Sequence, residues 1–154
     1  MNTNDVCPCG SALTYLHCCG KYHLTAEQPA TPEALMRSRY SAFVLKIFDY
    51  LIDTHAIEHL QGLTATTLSA EPLPQWIGLE VLASSQQGDN GSVTFKAWYR
   101  LNNTLDVIFE KSAFIRRQER WFYTTGEQME ATLPSRNDRC VCGSGKKFKQ
   151  CCGK

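Results

Sequence analysis

Residues 77–101 read IGLEVLASSQQGDNGSVTFKAWYRL, and they decide the fold. Two apolar stretches flank a Gly88-Asp89-Asn90-Gly91 cluster, which predicts two strands, IGLEVLASS and SVTFKAWYRL, joined as a hairpin. A second turn at Asn102-Asn103 leads to TLDVIFEKSAFIRR, and a third to RWFYTTG. Four strands in sequence, with only short turns between them, predict an antiparallel meander.

Upstream the period changes. In PEALMRSRYSAFVLKIFDYLIDTHA, Met36, Tyr40, Phe43, Val44, Ile47 and Leu51 recur at helical spacing, with Lys46, Asp49 and Asp53 opposite. Thr31 can cap this helix and Pro32 suits its first position. Leu45, Phe48 and Ile52 add a third apolar side, so the last turns either bury more than one face or break into a second helix. Short helices are expected between His55 and Pro74. Helices followed by a meander make an α+β class, with the sheet wrapped around the long helix.

Outward from this body, all eight cysteines lie at the two ends. Cys7, Cys9, Cys18 and Cys19 repeat as Cys140, Cys142, Cys151 and Cys152, each displaced by 133 positions in the form C-x-C-x8-C-C. Ten of the eighteen positions from 4 to 21 are identical to their counterparts. The chain thus divides into a knuckle at 1–24, a body at 25–130 and a second knuckle at 131–154. Four thiols so close together suit tetrahedral zinc in a closed structural site, giving two zinc ions per chain. Disulfides fit an even cysteine count, but no secretory leader is evident, so a reducing cytoplasm is expected. The C-x-x-C of a redox pair is absent. His17 or His23 could replace a thiolate in the first knuckle.

Charge separates the two copies. Residues 136–154 hold six Lys/Arg and one acid, a net +5, whereas residues 1–24 are neutral and the remainder carries −4. Ala12-Leu13-Thr14 and Leu16-His17 stand where the second copy has Gly145-Lys146-Lys147 and Lys149-Gln150. The expected division places Lys146, Lys147, Phe148 and Lys149 on an outward, partner-binding surface. The first knuckle is expected to pack on the body through Leu13 and Leu16. No apolar run is long enough for a membrane helix.

CVCGSGKKFKQCCG resembles the SEC-C motif, the zinc-binding tail of the SecA protein-export motor. That resemblance implies metal ligation by Cys140, Cys142, Cys151 and Cys152, and docking on a protein or a ribosome. With LMRSRYSAF opening the helix between two such modules, the whole chain resembles the YchJ-like family of bacterial proteins. The resemblance implies a nuclear transport factor 2-like body, a curved sheet closing on a long helix as a cone. Enzymes of that fold place acids, histidines and tyrosines inside the cone. Candidates are Tyr40, His55, Tyr99, Glu110 and Tyr123, with Trp76, Trp98 and Trp121 as lining. Glu110 shares a strand face with Ile108, Ser112 and Phe114, an odd place for a carboxylate, and is expected to pair with Arg37 or Arg39 at the mouth. The leading expectation is a non-enzymatic zinc adaptor. The alternatives are a small-molecule binder or enzyme using the cone, and nucleic-acid binding through the basic knuckle with Phe148 stacking on bases.

Overall fold

A computed structural model of the chain describes residues 2–154. After the first knuckle comes α1 (Gly20–Leu24), followed by an extended connector and α2 (Pro32–Leu45). The start of α2 is capped by Thr31, whose side chain accepts from the Ala34 N–H at 3.1 Å. Pro32 opens the helix, and Glu33 in the first turn complements the positive end of its dipole.

The helix ends sooner than the apolar stripe predicts. Lys46 takes a left-handed conformation (φ 61°, ψ 38°), and the Ile47 N–H turns back to the Ala42 carbonyl at 2.8 Å. That closure ends the α2 ladder, and the chain restarts as α3 (Phe48–Asp53). The long helix is therefore two helices, the second of the two endings the sequence allows. A 3-10 turn (Ile57–His59) and α4 (Ala65–Leu68) fill the stretch before the sheet.

Strands β1 (Gln75–Gln87), β2 (Asn90–Leu101), β3 (Thr104–Arg117) and β4 (Arg120–Gln128) form one antiparallel sheet in the order β1-β2-β3-β4. Asn102 and Asn103 both take positive φ, as a two-residue turn between right-twisted strands requires. Gln118 and Glu119 do the same in the third turn without help from Gly or Asn. Register shifts at Trp76/Gly78, Val81/Ala83 and Ser112/Phe114 bend the strands.

One face of the sheet packs on α2. Leu35, Met36, Tyr40, Val93, Phe114 and Trp121 form the buried core, with Trp76, Leu79, Val81, Phe95 and Tyr123 against it. The chain after α3 closes the β4 edge: the Ala56 N–H donates to the Tyr123 carbonyl and the Tyr123 N–H to the Thr54 carbonyl, both at 2.8 Å.

Both knuckles come to rest beside neighbouring residues of β1. A Cβ on Gly10 would lie 3.7 Å from the Leu79 carbonyl oxygen. On the other face, the carbonyl of Val141 approaches Gly78 so closely that no side chain fits there. No helix among the described residues is long and apolar enough to cross a membrane.

Candidate functional site

The two knuckles share one backbone plan. In the first, the Cys7 N–H donates to the Leu13 carbonyl (2.8 Å), Tyr15 to Asp5 (2.7 Å) and Leu16 to Thr3 (3.0 Å). In the second, Cys140 donates to Lys146 (2.8 Å), Phe148 to Asp138 (2.7 Å) and Lys149 to Arg136 (3.0 Å). Gly10 (φ 82°) and Gly143 (φ 79°) make the same left-handed bend between the first cysteine pair and the spacer. Each spacer then forms a 3-10 turn, Tyr15–His17 or Phe148–Gln150, that returns the C-C pair. Gly20 and Gly153 follow those pairs because the backbone and ring of Tyr15 or Phe148 leave no room for a Cβ.

This plan gathers each cysteine set. Within either cluster all four Sγ atoms lie within 4.8 Å of one another. A tetrahedral ion at a Zn–S distance of about 2.3 Å would hold its sulfurs about 3.8 Å apart. Cys9 and Cys18 stand at 3.5 Å, Cys18 and Cys19 at 4.0 Å, and Cys142 and Cys151 at 3.5 Å, on either side of that edge length. The Ser11 hydroxyl lies 3.1 Å from Cys18 Sγ and Ser144 donates to Cys151 Sγ at 3.4 Å, support of the kind metal thiolates receive.

Crowding four thiols also sets their charges against one another. Hydrogen bonds from Cys19 and Cys7 pull the Cys9 thiol far below its ordinary range. Cys19 is driven far above it by bonds to Cys7 and Cys9 and by burial. In the second cluster burial opposes ionisation of Cys140, but the backbone N–H groups of Cys142 and Cys152 bring it below the usual value. Cys152 is pushed up to about 12, by burial and by Cys140. A divalent cation removes this conflict by letting all four sulfurs ionise together. The donor set and spacing thus fit a metal ion at each end.

His23 takes no part in the first cluster: its Nδ1 meets the Tyr15 hydroxyl (2.6 Å) and its Nε2 the Ser38 carbonyl (2.8 Å). His17 lies outside both four-sulfur clusters.

The first knuckle does pack on the body, but through different residues from those expected. Leu13 and Leu16 remain 53% and 40% exposed. The contact is made by Cys7, Cys9, Tyr15 and Cys19, buried together against Leu45 and Leu79. Arg37 locks it, donating from Nη1 to the Cys9 carbonyl at 2.8 Å while pairing with Glu33 at 3.0 Å.

The second knuckle also seats on the body, on the outer face of the sheet. Arg100 donates to the Cys152 carbonyl, and Val141 covers Gly78. Trp98, the registered partner of Gly78, is only 3% exposed on that face. Lys146 and Lys147 point to solvent, whereas Lys149 and Phe148 are half-buried. One edge of the Phe148 ring packs over Gly153.

Between the helices and the inner sheet face lies a cavity of about 580 Å³, with Tyr40, His55, Trp76, Tyr99, Glu110 and Tyr123 in its wall. Trp98 and Trp121 are elsewhere. Trp98 faces the other side, and the indole of Trp121 donates to the Ala30 carbonyl at 3.2 Å within the core. Glu110 pairs with neither arginine. Arg37 belongs to the knuckle contact, and Arg39, although in the same cavity wall, donates to the Leu51 carbonyl (2.8 Å) and the Thr54 hydroxyl (2.7 Å). The Glu110 carboxylate instead accepts from Ser112, Gln128 and the Tyr123 hydroxyl, the last at 3.3 Å. Gln128 lies two residues beyond the last strand read from the sequence, so its part was not visible there. Its place opposite Glu110 follows from the register of β3 and β4.

Comparison with known proteins agrees with this architecture. Residues 31–126 match the model described as "YchJ, middle NTF2-like domain", and residues 4–21 and 136–154 each match the SEC-C motif. A UPF0225 protein of Shewanella sp. (strain MR-4) is 55% identical over 163 residues, covering 100% of this chain and 99% of its own. The solution structure of a SEC-C motif containing protein from Rhodopseudomonas palustris is 36% identical with a TM-score of 0.75, over 80% of this chain and 98% of that one. A crystal structure of a SEC-C motif containing protein from Psychrobacter arcticus covers 98% and 97%, at 29% identity and a TM-score of 0.67. The chain belongs to the YchJ-like, or UPF0225, family, with a SEC-C motif at each terminus around an NTF2-like middle domain.

Proposed function

We propose that this protein is a non-enzymatic adaptor in which two structural zinc ions hold the knuckles, and that its C-terminal knuckle docks on an anionic surface of a protein or a ribosome. One observation carries this role. The two knuckles have matching backbones, yet three positions that are exposed and apolar in the first differ in kind in the second. Val6, Leu13 and Leu16 in the first copy correspond to Arg139, Lys146 and Lys149 in the second. The backbone plan is kept while exposed apolar side chains are exchanged for basic ones. With Lys147 beside them, these groups suit phosphate or carboxylate partners and electrostatic steering.

Zinc supplies folding free energy to segments too small to bury a core, about 10–16 kcal/mol in isolated zinc-finger peptides. Cys7, Cys9, Cys18 and Cys19 would hold one ion, and Cys140, Cys142, Cys151 and Cys152 the other. Elemental analysis of the purified chain should return two zinc per molecule; none would end the proposal. Co-sedimentation with purified ribosomes then tests docking, using wild type and the triple variant Lys146→Glu, Lys147→Glu, Lys149→Glu. Salt-sensitive binding lost in the variant supports a ribosomal partner. Equal binding by both overturns the basic face. If neither binds, the anionic partner is an acidic protein, to be captured from extract by wild type and not by the variant.

A further inference from the structure

The adaptor role leaves the cavity between the helices and the sheet without a task. Its volume of about 580 Å³ falls within the range of small-molecule sites, about 300–1,000 Å³. Most of the wall is apolar, built by Met36, Phe43, Leu63, Leu101 and Ile108 among others. A cationic side chain, Arg39, is set into that wall.

Arg39 is enclosed by the protein yet retains some accessible surface, as a side chain facing an internal space should. Its guanidinium lies 4.7 Å from the centre of the Tyr123 ring. Both protons of Nη1 are engaged, one by the Leu51 carbonyl and one by the Thr54 hydroxyl. A guanidinium has five N–H donors, so three remain, one on Nε and two on Nη2. None of the three has a protein acceptor among the described residues, and no carboxylate there lies within ion-pair distance of Arg39. Burial lowers its pKa to about 10, which still leaves it protonated at neutral pH. An enclosed cation with three uncommitted donors at the cavity offers an anion a place to bind.

The neighbouring groups narrow the choice. Glu110 is only 9% exposed and already accepts from three donors, so it is not placed to hold a cationic ligand. His55 adds no second positive charge, since burial and Arg39 depress its pKa. Glu110 lies in the same wall and attracts Arg39 across it, but its oxygens are taken up by Ser112, Tyr123 and Gln128, so the free donors of Arg39 match the carboxylate of a monoanion carrying an apolar body. The fork of Nε–H and Nη2–H has the shape that grips a carboxylate with two parallel bonds.

We infer that this cavity binds an apolar monocarboxylate, its carboxylate held side-on by Nε–H and Nη2–H of Arg39. The test uses the full-length, metal-loaded protein and two probes of equal chain length, decanoate and 1-decanol, titrated calorimetrically. Decanoate should bind at least about tenfold more tightly than the alcohol, the difference expected of a charge-assisted bidentate pair. In Arg39→Gln that preference should shrink to about twofold or less, with the affinity for decanol kept. Equal affinities in the wild type, no binding of decanoate, or a preference that survives the substitution would each overturn the assignment. Should Arg39→Gln fail to fold through loss of the Leu51 and Thr54 contacts, the Arg39 Nε–H resonance of the wild type decides. Decanoate must shift it and decanol must not; an unmoved resonance rejects the site.

Discussion

Leu13 and Lys146 leave the same point of the same fold: each offers its carbonyl to the N–H of the leading cysteine, at 2.8 Å in both knuckles. The two side chains are therefore interchangeable in geometry and opposed in chemistry. Substituting Leu13→Lys and Leu16→Lys should leave the first knuckle folded, with stability within about 0.5 kcal/mol, because both side chains are exposed. Elution from a heparin column should move to higher salt. Lys146→Leu with Lys147→Leu should move it to lower salt, and unchanged elution in both variants would show that neither face governs polyanion binding.

The spacer of the first knuckle contains a strained residue. Ala12 sits at φ 70°, where the second copy places Gly145 at φ 83°. Ala12→Gly should therefore tighten the first knuckle, and Gly145→Ala should loosen the second, each by about 1 kcal/mol. Nothing lies near a Cβ at Gly145, so the effect there is conformational alone. Rates of metal release to a chelator, measured site by site, report both changes; the two substitutions must act in opposite directions.

Gly78 is the point at which the second knuckle meets the sheet. A Cβ there would collide with the Val141 carbonyl, which is backbone and cannot swing aside. Gly78→Ala should cost about 1–3 kcal/mol, as overpacking does, and lift the knuckle from the outer face. Trp98 would then meet water, and tryptophan emission should shift to the red. Retention of the wild-type spectrum would mean that the knuckle has slid rather than lifted.

His23 links the first knuckle to α2 and gives that contact a pH dependence. Burial lowers its pKa from the ordinary value of 6.5. The unfolded chain therefore binds more protons than the folded one as pH falls past that value. The contribution is complete above 6.5 and is lost as pH drops towards the folded pKa. Urea unfolding at about pH 7.5 and about pH 5.5 should show a larger acid loss in wild type than in His23→Gln. His55, whose pKa is lowered by burial and then by Arg39, contributes in the same direction to both proteins. Equal losses would remove His23 from the account.

Much of this architecture was legible because it rests on local chemistry. Glycine and asparagine pairs marked the first two turns, and the cysteine repeat with its glycines specified both knuckles. The break after Leu45 was less plain, because Ile47 and Leu51 continue the apolar stripe while a lysine adopts the left-handed conformation. The strand pattern marks Glu110 as out of place, but an angle around a helix axis does not give its partners. Ser112 is a neighbour on the same strand face, but Tyr123 and Gln128 are brought in by β4, whose register shifts between Ser112 and Phe114 and sets Gly126 opposite Ser112 and Gln128 opposite Glu110. Exposed-looking leucines point to the seat of the first knuckle, but gathered cysteine sulfurs pack like small apolar groups and, with Tyr15, make that contact instead.

The approach of both knuckles to residues 78 and 79 bears on how the chain avoids its own copies. β1 is thirteen residues long and lies at the margin of the sheet, with one side free of any strand partner. Such a margin invites pairing with another molecule. Here it carries two register shifts, and it is flanked from opposite faces by segments that depend on their cysteine sites for shape. Stripping the ions should therefore do more than unravel two short ends. It would bare a strand able to recruit further chains, so self-association should accompany demetallation.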